Sequence, residues 1–397
     1  MAYLLGVVAF VVALLTSVVL HEAGHFLTAK RFGMKATQFF VGFGPTLWSR
    51  TRGETEYGIK AIPAGGFVRI VGYTPLEEID PADEPRAFYR QPAGQRAVVI
   101  VAGVVMNFII AFVLLAGMAM TLGERQPGTP TTTIGSIADC IPASRTASCH
   151  SGDPKSPAAQ AGLKANDKIV SLEGIQVRTW SELRNAIKAQ PAGRPVTVEA
   201  LRDGRTVKTQ VTPVTIAGST FIGITSEIVG AGYRQDNPIK AVGYAGSTIG
   251  RAVQGIGTVL ADLPQAVPKL FSPDRADTAG GQVGSVVGAG EVSGQIFAAD
   301  VGWRDKLEGF LALVISVNIF LGALNVLPLL PLDGGHLAIV CYERVRVRIN
   351  KARGRPDPGT VDLTKLMPVT YLVFMILVGL GVLLILADVF NPLTLPQ

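Results

Sequence analysis

Residues 2–25 read AYLLGVVAFVVALLTSVVLHEAGH, and this stretch decides the fold class. Its apolar part is long enough to cross a hydrocarbon core, which takes about 20 residues. The segment lacks the basic start and the small-residue cleavage site of a signal peptide, so we interpret it as a retained membrane span. It ends in a polar motif, and ionisable residues in a membrane segment are candidates for a functional site.

The polar motif, His21-Glu22-Ala23-Gly24-His25, has the H-E-x-x-H pattern of a zinc site. His21 and His25 share one face of a helix, so both imidazoles can reach one metal ion. Zinc lowers the pKa of water to about 7, and Glu22 is then placed to act as the general base. The chain has only 4 histidines, which makes a chance match rare. The alternative is a helix end at the membrane surface with all three groups in water.

A third zinc ligand is expected, because a catalytic zinc takes three protein ligands and keeps one open position. Asp333, in the run NVLPLLPLDGG at residues 325–335, is the only carboxylate in or at the end of the third apolar segment. Pro328 and Pro331 break the helix before it, and irregular backbone at membrane depth must line protein or a wet cavity. The alternatives are a helix-terminal Asp-Gly-Gly turn, and His336 as a ligand or as the partner of one.

Four long apolar segments predict a polytopic α-helical membrane protein with four transmembrane helices. Hydrophobic residues make up 48% of the 397-residue chain and charged residues 17%, below the roughly 25% charged residues of a soluble domain. The predicted spans are residues 2–29, 97–122, 311–332 and 367–389.

Lysines and arginines cluster in the loops after the first span, before the second, and between the third and fourth. The positive-inside rule places these loops in the cytoplasm and the long insert outside. The sequence thus predicts a multi-pass plasma-membrane protein with its active site near the cytoplasmic side and the insert extracytoplasmic. The net charge of +6 then indicates membrane lipid rather than nucleic acid as a partner, and a polybasic anchoring patch is a competing use of the same charges.

Residues 57–63 and 67–71 are β-prone and flank Ala64-Gly65-Gly66, which predicts a β-hairpin that dips toward the membrane. Cys140 and Cys149 lie in the outward region, where a disulfide is permitted but not required. Cys341 is expected to remain a free thiol. The expected regions are 1–122 for the first half of the membrane domain, 123–155 for an irregular segment, 156–230 for a PDZ domain, 231–305 for a juxtamembrane or interfacial region, and 306–397 for the second half of the membrane domain.

The insert resembles a PDZ domain in three consecutive stretches: SPAAQAGLKANDKIVSLEG, VRTWSELRNAI and VTVEALRDGRTV. They indicate a strand, an amphipathic helix, and a hairpin with Asp-Gly at its turn, together an α+β fold. PDZ domains bind extended peptides by adding a strand to a sheet edge. The alternative is a module that gates access to the membrane domain sterically.

The whole chain resembles the site-2 protease family, with HEAGH at the end of the first span, NVLPLLPLDGG in the third, and a PDZ-like insert between them. The likeness is closest to the bacterial RseP-type branch, in particular its single-PDZ actinobacterial (Rip-like) members. RseP-type motifs often carry the second proline two residues after the first, whereas Pro331 follows Pro328 by three.

This resemblance implies an intramembrane zinc metalloprotease that binds Zn²⁺ through His21, His25 and Asp333 and uses Glu22 as its base. It also implies that the hairpin clamps the substrate as a strand, since a helical substrate must unwind before its peptide bonds are reached. Gly103 and Asn107 match the family's G-x-x-x-N stretch, for which helix packing is the alternative. The implied substrate or transition-state residues are Asn325, Asn107, Gly65, Gly66 and Phe67.

By the same resemblance, the substrates are single-span membrane proteins such as anti-sigma factors, first trimmed by another protease, in regulated intramembrane proteolysis. Two alternative functions remain from the sequence. One is a membrane scaffold whose PDZ domain recruits partners while the HEAGH motif is catalytically silent. The other is a metalloprotease that acts on soluble peptides at the membrane surface.

Overall fold

The structure is a computed structural model that describes residues 1–73, 78–141, 153–216, 219–272, 275, 284–357 and 359–391. The chain divides into two compact units, Met1–Leu122 with Gln235–Gln397, and Gly123–Arg234. The helices are α1 Ala2–Arg31, α2 Ala93–Thr121, α3 Pro157–Gln160, α4 Trp180–Lys188, α5 Pro238–Ala266, α6 Val286–Ala298, α7 Trp303–Val326, α8 Asp333–Ala352 and α9 Met367–Phe390. The strands are β1 Ala36–Arg52, β2 Thr55–Ile70, β3 Glu124–Gln126, β4 Thr129–Ile137, β5 Lys168–Leu172, β6 Ile175–Gln176, β7 Val196–Arg202, β8 Arg205–Val211, β9 Val214–Ile216, β10 Ser219–Phe221, β11 Ile224–Val229 and β12 Gly232–Arg234.

The first unit is a helical membrane domain. Within the described part of the chain, four helices are long and apolar enough to cross a membrane: α1, α2, α7, and α9 with the turn before it, Leu363–Phe390. α1 and α2 approach closely because Gly24 has no side chain: a Cβ there would stand 2.5 Å from the Ala102 carbonyl oxygen. Small residues allow such contacts between membrane helices. The predicted polytopic α-helical fold class is confirmed.

The third span ends earlier than the sequence predicts. α7 stops at Val326 rather than at residue 332, and Asp333 begins a separate helix, α8. Pro328 and Pro331 explain the break, because proline lacks the N–H that a helix interior needs. The connection folds back tightly onto α8: a Cβ on Gly334 would stand 2.2 Å from the Val326 carbonyl oxygen.

The predicted hairpin turn at Ala64-Gly65-Gly66 is wrong. β1 and β2 form one long antiparallel hairpin that turns at Gly53 and Glu54, where Arg52 faces Thr55. The Gly-Gly pair suggested a turn because glycine favours turns, yet Gly66 lies within β2 and faces Val41. Glycine inside a strand instead permits a bulge or a close approach.

Segments of this hairpin fold back on one another to form a small sheet. Residues 38–41 of β1 face residues 56–59 on one side and residues 66–69 on the other. The stretch from Gly66 to Ile70 therefore lies at an edge of the sheet. Within the described residues, no further strand pairs with that edge.

A buried apolar cluster fixes this sheet against α1, which carries the HEAGH motif, and against α2 and α8. Phe26 of α1, Ile70 of β2 and Val340 of α8 belong to it. α2 contributes Val99 and Ile100, which are 0% and 1% exposed. Because one core joins four elements, the position of α1 relative to α8 is set by packing. In the same unit, α5 packs against α2 through Ala241 and Ala245.

The second unit contains a sheet with strand order β11-β4-β5-β7-β8, with β6 paired to β5. Leu183 and Ile187 of α4 belong to its core, and the hairpin between β7 and β8 turns at the predicted Asp203-Gly204, where Asp203 has a φ of 50°. These elements follow the order expected of a PDZ-like fold, so the chain is a polytopic helical membrane protein with an inserted α+β PDZ-like domain.

The prediction that residues 123–155 are irregular throughout is wrong. β4 lies within that segment and pairs with both β11 and β5. Its proline and threonines resembled a loop, but Thr132 and Ile134 are buried, with the two-residue period of a strand. Cys140 is disulfide-bonded; its proposed partner Cys149 lies outside the described residues. Cys341 is a free, exposed thiol, as expected.

Candidate metal centre

Three of the predicted residues converge at one point of the membrane domain. His21 and His25 lie one helical turn apart on α1, and their Nε2 atoms are 3.2 Å apart. Asp333, the first residue of α8, places Oδ2 3.4 Å from each of those Nε2 atoms. These ligand atoms all lie within 4.8 Å of one another. The cluster joins two helices that are separated by most of the chain.

The spacing of the three atoms fits a tetrahedral metal ion. Zinc–ligand bonds of about 2.0–2.1 Å at tetrahedral angles separate the ligand atoms by about 3.3 Å. Asp333 Oδ2 is buried and has no hydrogen-bond partner, although both imidazoles are close. A buried carboxylate oxygen without a hydrogen bond is costly, and a shared cation satisfies it.

One face of α2 supports both imidazoles. The Nδ1 of His25 lies 2.8 Å from the carbonyl oxygen of Val99. A proton on Nδ1 leaves the Nε2 lone pair free for a metal, the usual arrangement of a ligating histidine. Gly103 makes room for the ring, since a Cβ there would stand 2.2 Å from His25 Nε2. The Nδ1 of His21 lies 3.2 Å from Nδ2 of Asn107.

Glu22 lies against the edge segment of the small sheet. The backbone N–H of Val68 is directed at its carboxylate. Its Cγ would be 3.5 Å from a Cβ on Gly66. Of the predicted substrate residues, Gly66 is therefore next to the HEAGH motif. Phe67 stacks on Phe40, with ring centroids 5.7 Å apart, so its side chain is engaged within the sheet.

Three further predicted residues, Gly65, Asn325 and His336, are not among the groups that form the cluster. Gly65 has a φ of 145° and faces Phe43. Asn325 occupies the last turn of α7 and is half-buried. His336 follows Asp333 by one turn of α8, and its ring centroid lies 4.9 Å from that of Tyr73. Burial lowers the pKa of His336, which favours the neutral imidazole.

Sequence reasoning missed the groups that surround the cluster. The Val99 carbonyl and the Val68 N–H are backbone groups, which leave no side-chain pattern in a sequence. A buried ion pair, Arg96 with Glu343, also escaped notice; it joins α2 to α8 at a distance of 2.8 Å. Both of its residues lie in stretches that contain other charged residues, so a pairing across more than 240 positions has no local signal.

Two histidines on a transmembrane helix and an aspartate on a second helix of the same domain are typical of a membrane-embedded metalloenzyme. Residues 9–356 match the family model described as peptidase family M50. The chain therefore belongs to peptidase family M50, the site-2 protease family. It is a zinc metalloendopeptidase, and Zn²⁺ is its cofactor.

Curated relatives match along their full length. The chain is 38% identical to zinc metalloprotease Rip1 of Mycolicibacterium smegmatis, with 100% of both chains covered. It is 37% identical to zinc metalloprotease Rip1 of Mycobacterium tuberculosis, again with 100% of both covered. Among solved structures, a PDZ domain of an SdrC-like protein from Listeria monocytogenes matches 25% of this chain and 88% of that one. Its identity is 18% and its TM-score 0.18, too low to support an assignment.

Proposed function

We propose that His21, His25 and Asp333 hold the zinc ion and that Glu22 is the general base for peptide-bond hydrolysis. The observation that carries this proposal is the meeting of three ligand atoms within 4.8 Å, from two helices far apart in the sequence. Their donor set, two imidazoles and one carboxylate, is that of known catalytic zinc sites.

When bound, Zn²⁺ supplies a Lewis acid that activates water at neutral pH. Glu22 accepts the proton of the attacking water and passes it to the nitrogen of the scissile amide as the C–N bond breaks. The Val68 N–H, directed at this carboxylate, orients it for both transfers. The Val99 carbonyl orients His25 from behind by accepting its Nδ1 proton.

The edge segment Gly66–Ile70 provides a docking position for an extended substrate. Residues of an edge strand alternate in the direction of their backbone groups. Val71 N–H donates to the Lys35 carbonyl. By this alternation, the backbone groups of Phe67 and Arg69 face the sheet, and those of Gly66 and Val68 face outward. Since Val68 N–H reaches Glu22, the outward groups of Gly66 are placed to pair with substrate backbone beside the base. We assign Asn325, half-buried at the end of α7, to binding substrate or the developing oxyanion.

The substrates that we propose are single-span membrane proteins, such as anti-sigma factors trimmed first by another protease. Loops rich in arginine and lysine support a cytoplasmic position for the metal end of the spans. Cleavage there would release a fragment to the cytoplasm. The PDZ-like unit then lies on the extracytoplasmic side, where it captures peptides or restricts access.

The test uses the full-length protein in lipid vesicles with a single-span substrate. Glu22→Gln should keep zinc, measured by elemental analysis, and lower the cleavage rate about 10²–10⁴-fold. Glu78→Gln, on an exposed loop, serves as the control and should cleave normally. Unchanged cleavage by Glu22→Gln would overturn the mechanism. Mass spectrometry of the products locates the cut; cuts only outside the membrane segment would instead identify a protease of surface peptides.

A further inference from the structure

One stripe of α2 lines the two metal-binding imidazoles from behind. Val99, Gly103 and Asn107 follow one another at intervals of four residues and so share a helix face. The first offers a carbonyl to His25 and the second offers space. The third faces His21, which is the other proposed ligand. The two histidines therefore have different partners on this face: a backbone carbonyl for His25 and a side-chain amide for His21.

His21 needs an acceptor at Nδ1 if its Nε2 is to hold a metal. Neutral imidazole has one protonated nitrogen, so a ligating Nε2 leaves the proton on Nδ1. Ligating histidines almost always donate that proton to a carbonyl, a carboxylate or water. The group 3.2 Å from Nδ1 of His21 is the Asn107 amide.

Asn107 carries an unmatched acceptor beside this donor. The residue is 1% exposed, and its Oδ1 is buried with no hydrogen-bond partner. A 180° turn about the last side-chain bond exchanges Oδ1 and Nδ2, whose positions are nearly equivalent in shape. With Oδ1 toward His21, the imidazole N–H and the amide oxygen satisfy one another. Without this turn, the protonated Nδ1 of a metal-binding His21 would face the amide N–H group, a donor against a donor, and this clash favours the exchanged orientation.

We propose that Asn107 is a positioning residue that accepts the Nδ1 proton of His21 through Oδ1 and so aims Nε2 at the zinc ion. This assignment rests on the proposed ligand set and replaces the substrate-binding role that the sequence implied for Asn107. The amide touches a ligand and is fully enclosed, whereas a substrate-binding group must reach the cleft. Asn107 thereby does for His21 what the Val99 carbonyl does for His25.

Zinc affinity of the full-length protein in detergent, measured by competition with a chromophoric chelator, tests the proposal. Asn107→Leu keeps the volume and removes the acceptor; it should weaken zinc binding about 10–100-fold. Asn107→Asp supplies a carboxylate acceptor and should restore affinity close to that of the unaltered protein. Val113→Leu, on the lipid-exposed face of α2 where Val113 is 60% exposed, is the control and should change nothing.

The visible spectrum of the Co²⁺-substituted protein provides a second readout, because it reports the geometry of the ligands. The spectrum of Asn107→Leu should differ from that of the unaltered protein, and the spectrum of Asn107→Asp should resemble it. Wild-type zinc affinity in Asn107→Leu would overturn the proposal, and so would an Asp variant as weak as the Leu variant. If Asn107→Leu fails to fold, Asn107→Ala takes its place. Retained zinc in His21→Ala would instead refute the ligand set itself, so the two failures are distinguishable.

Discussion

At the scale of single residues, the chemistry depends on which side chains share a point in space. Asp333 reaches both histidines at 3.4 Å, while His336 turns toward Tyr73. One turn of α8 therefore separates a proposed ligand from a histidine that pairs with an aromatic ring. The helix break at Pro328 and Pro331 matters here, because it makes Asp333 the first residue of a helix and lets its carboxylate project from the helix end.

Asp333→Ala should remove the third ligand and leave the purified protein with less than stoichiometric zinc by elemental analysis. His336→Ala is the matched variant, one helical turn away, and should retain zinc. The expected contrast follows from the distances, since only the aspartate lies within reach of both Nε2 atoms. Loss of zinc from the His336 variant alone would assign the third ligand to the histidine.

At the scale of elements, the sequence predicted the features with a periodic local pattern and missed those that depend on contacts between distant residues. Four apolar helices and the H-E-x-x-H face follow from local patterns, and the structure agrees. The position of the hairpin turn did not follow from the local pattern. Gly65-Gly66 favours a turn locally, but the sheet is decided by the pairing of residues 38–41 with residues 56–59 and 66–69. β4 was missed for a similar reason: its strand character depends on neighbours, β5 and β11, that are far along the chain.

Helix α2 offers a direct test of close packing at the metal centre. Gly103→Ala should lower zinc occupancy and activity, because its Cβ would lie 2.2 Å from His25 Nε2 and force the ring away. Gly117→Ala on the same helix is the control, since a Cβ there meets nothing within 4 Å. Zinc content and cleavage rate measured on both variants decide the matter; equal effects would mean that α2 has room at residue 103.

The inserted unit contains an ion pair between Asp167, which precedes β5, and Arg202 of β7, and its contribution to stability depends on pH. Hydrogen bonds from Arg202 hold the pKa of Asp167 below its ordinary value, and Asp167 is 0% exposed. A carboxyl group whose pKa is lower in the folded state stabilises that state above its unfolded pKa of about 3.9. The stabilisation is lost as the pH falls through the folded value.

Asp167→Asn should therefore destabilise the inserted unit at pH 7, by about 1.5–3 kcal/mol, and by less at pH 3. Hydrogen exchange by mass spectrometry on peptides covering β5 and β7, corrected for the intrinsic exchange rate, measures this in the full-length protein. Asp203→Asn, at the exposed turn between β7 and β8, is the control. A difference that grows as the pH falls would contradict the sign of the shift.

At the scale of the whole molecule, four spans and the distribution of basic loops set the orientation that we propose. Cys341 is a natural reporter because it is a free, exposed thiol on α8, in the loop assigned to the cytoplasm. A membrane-impermeant maleimide should label it in inside-out vesicles and not in intact cells. Glu227→Cys in a Cys341→Ser background places the reactive thiol on the inserted unit. The same maleimide should label it in intact cells and not in inside-out vesicles. Labelling of Cys341 in intact cells would mean that the topology is opposite to the one proposed.

The distance in sequence between the two halves of the metal centre also governs when the enzyme can become active. His21 and His25 leave the ribosome early, but Asp333 is made only after the inserted unit and the third span. A nascent chain has two of the three proposed ligands for most of its synthesis. On the proposed ligand set, hydrolysis therefore cannot begin until the third span and the start of α8 have been made.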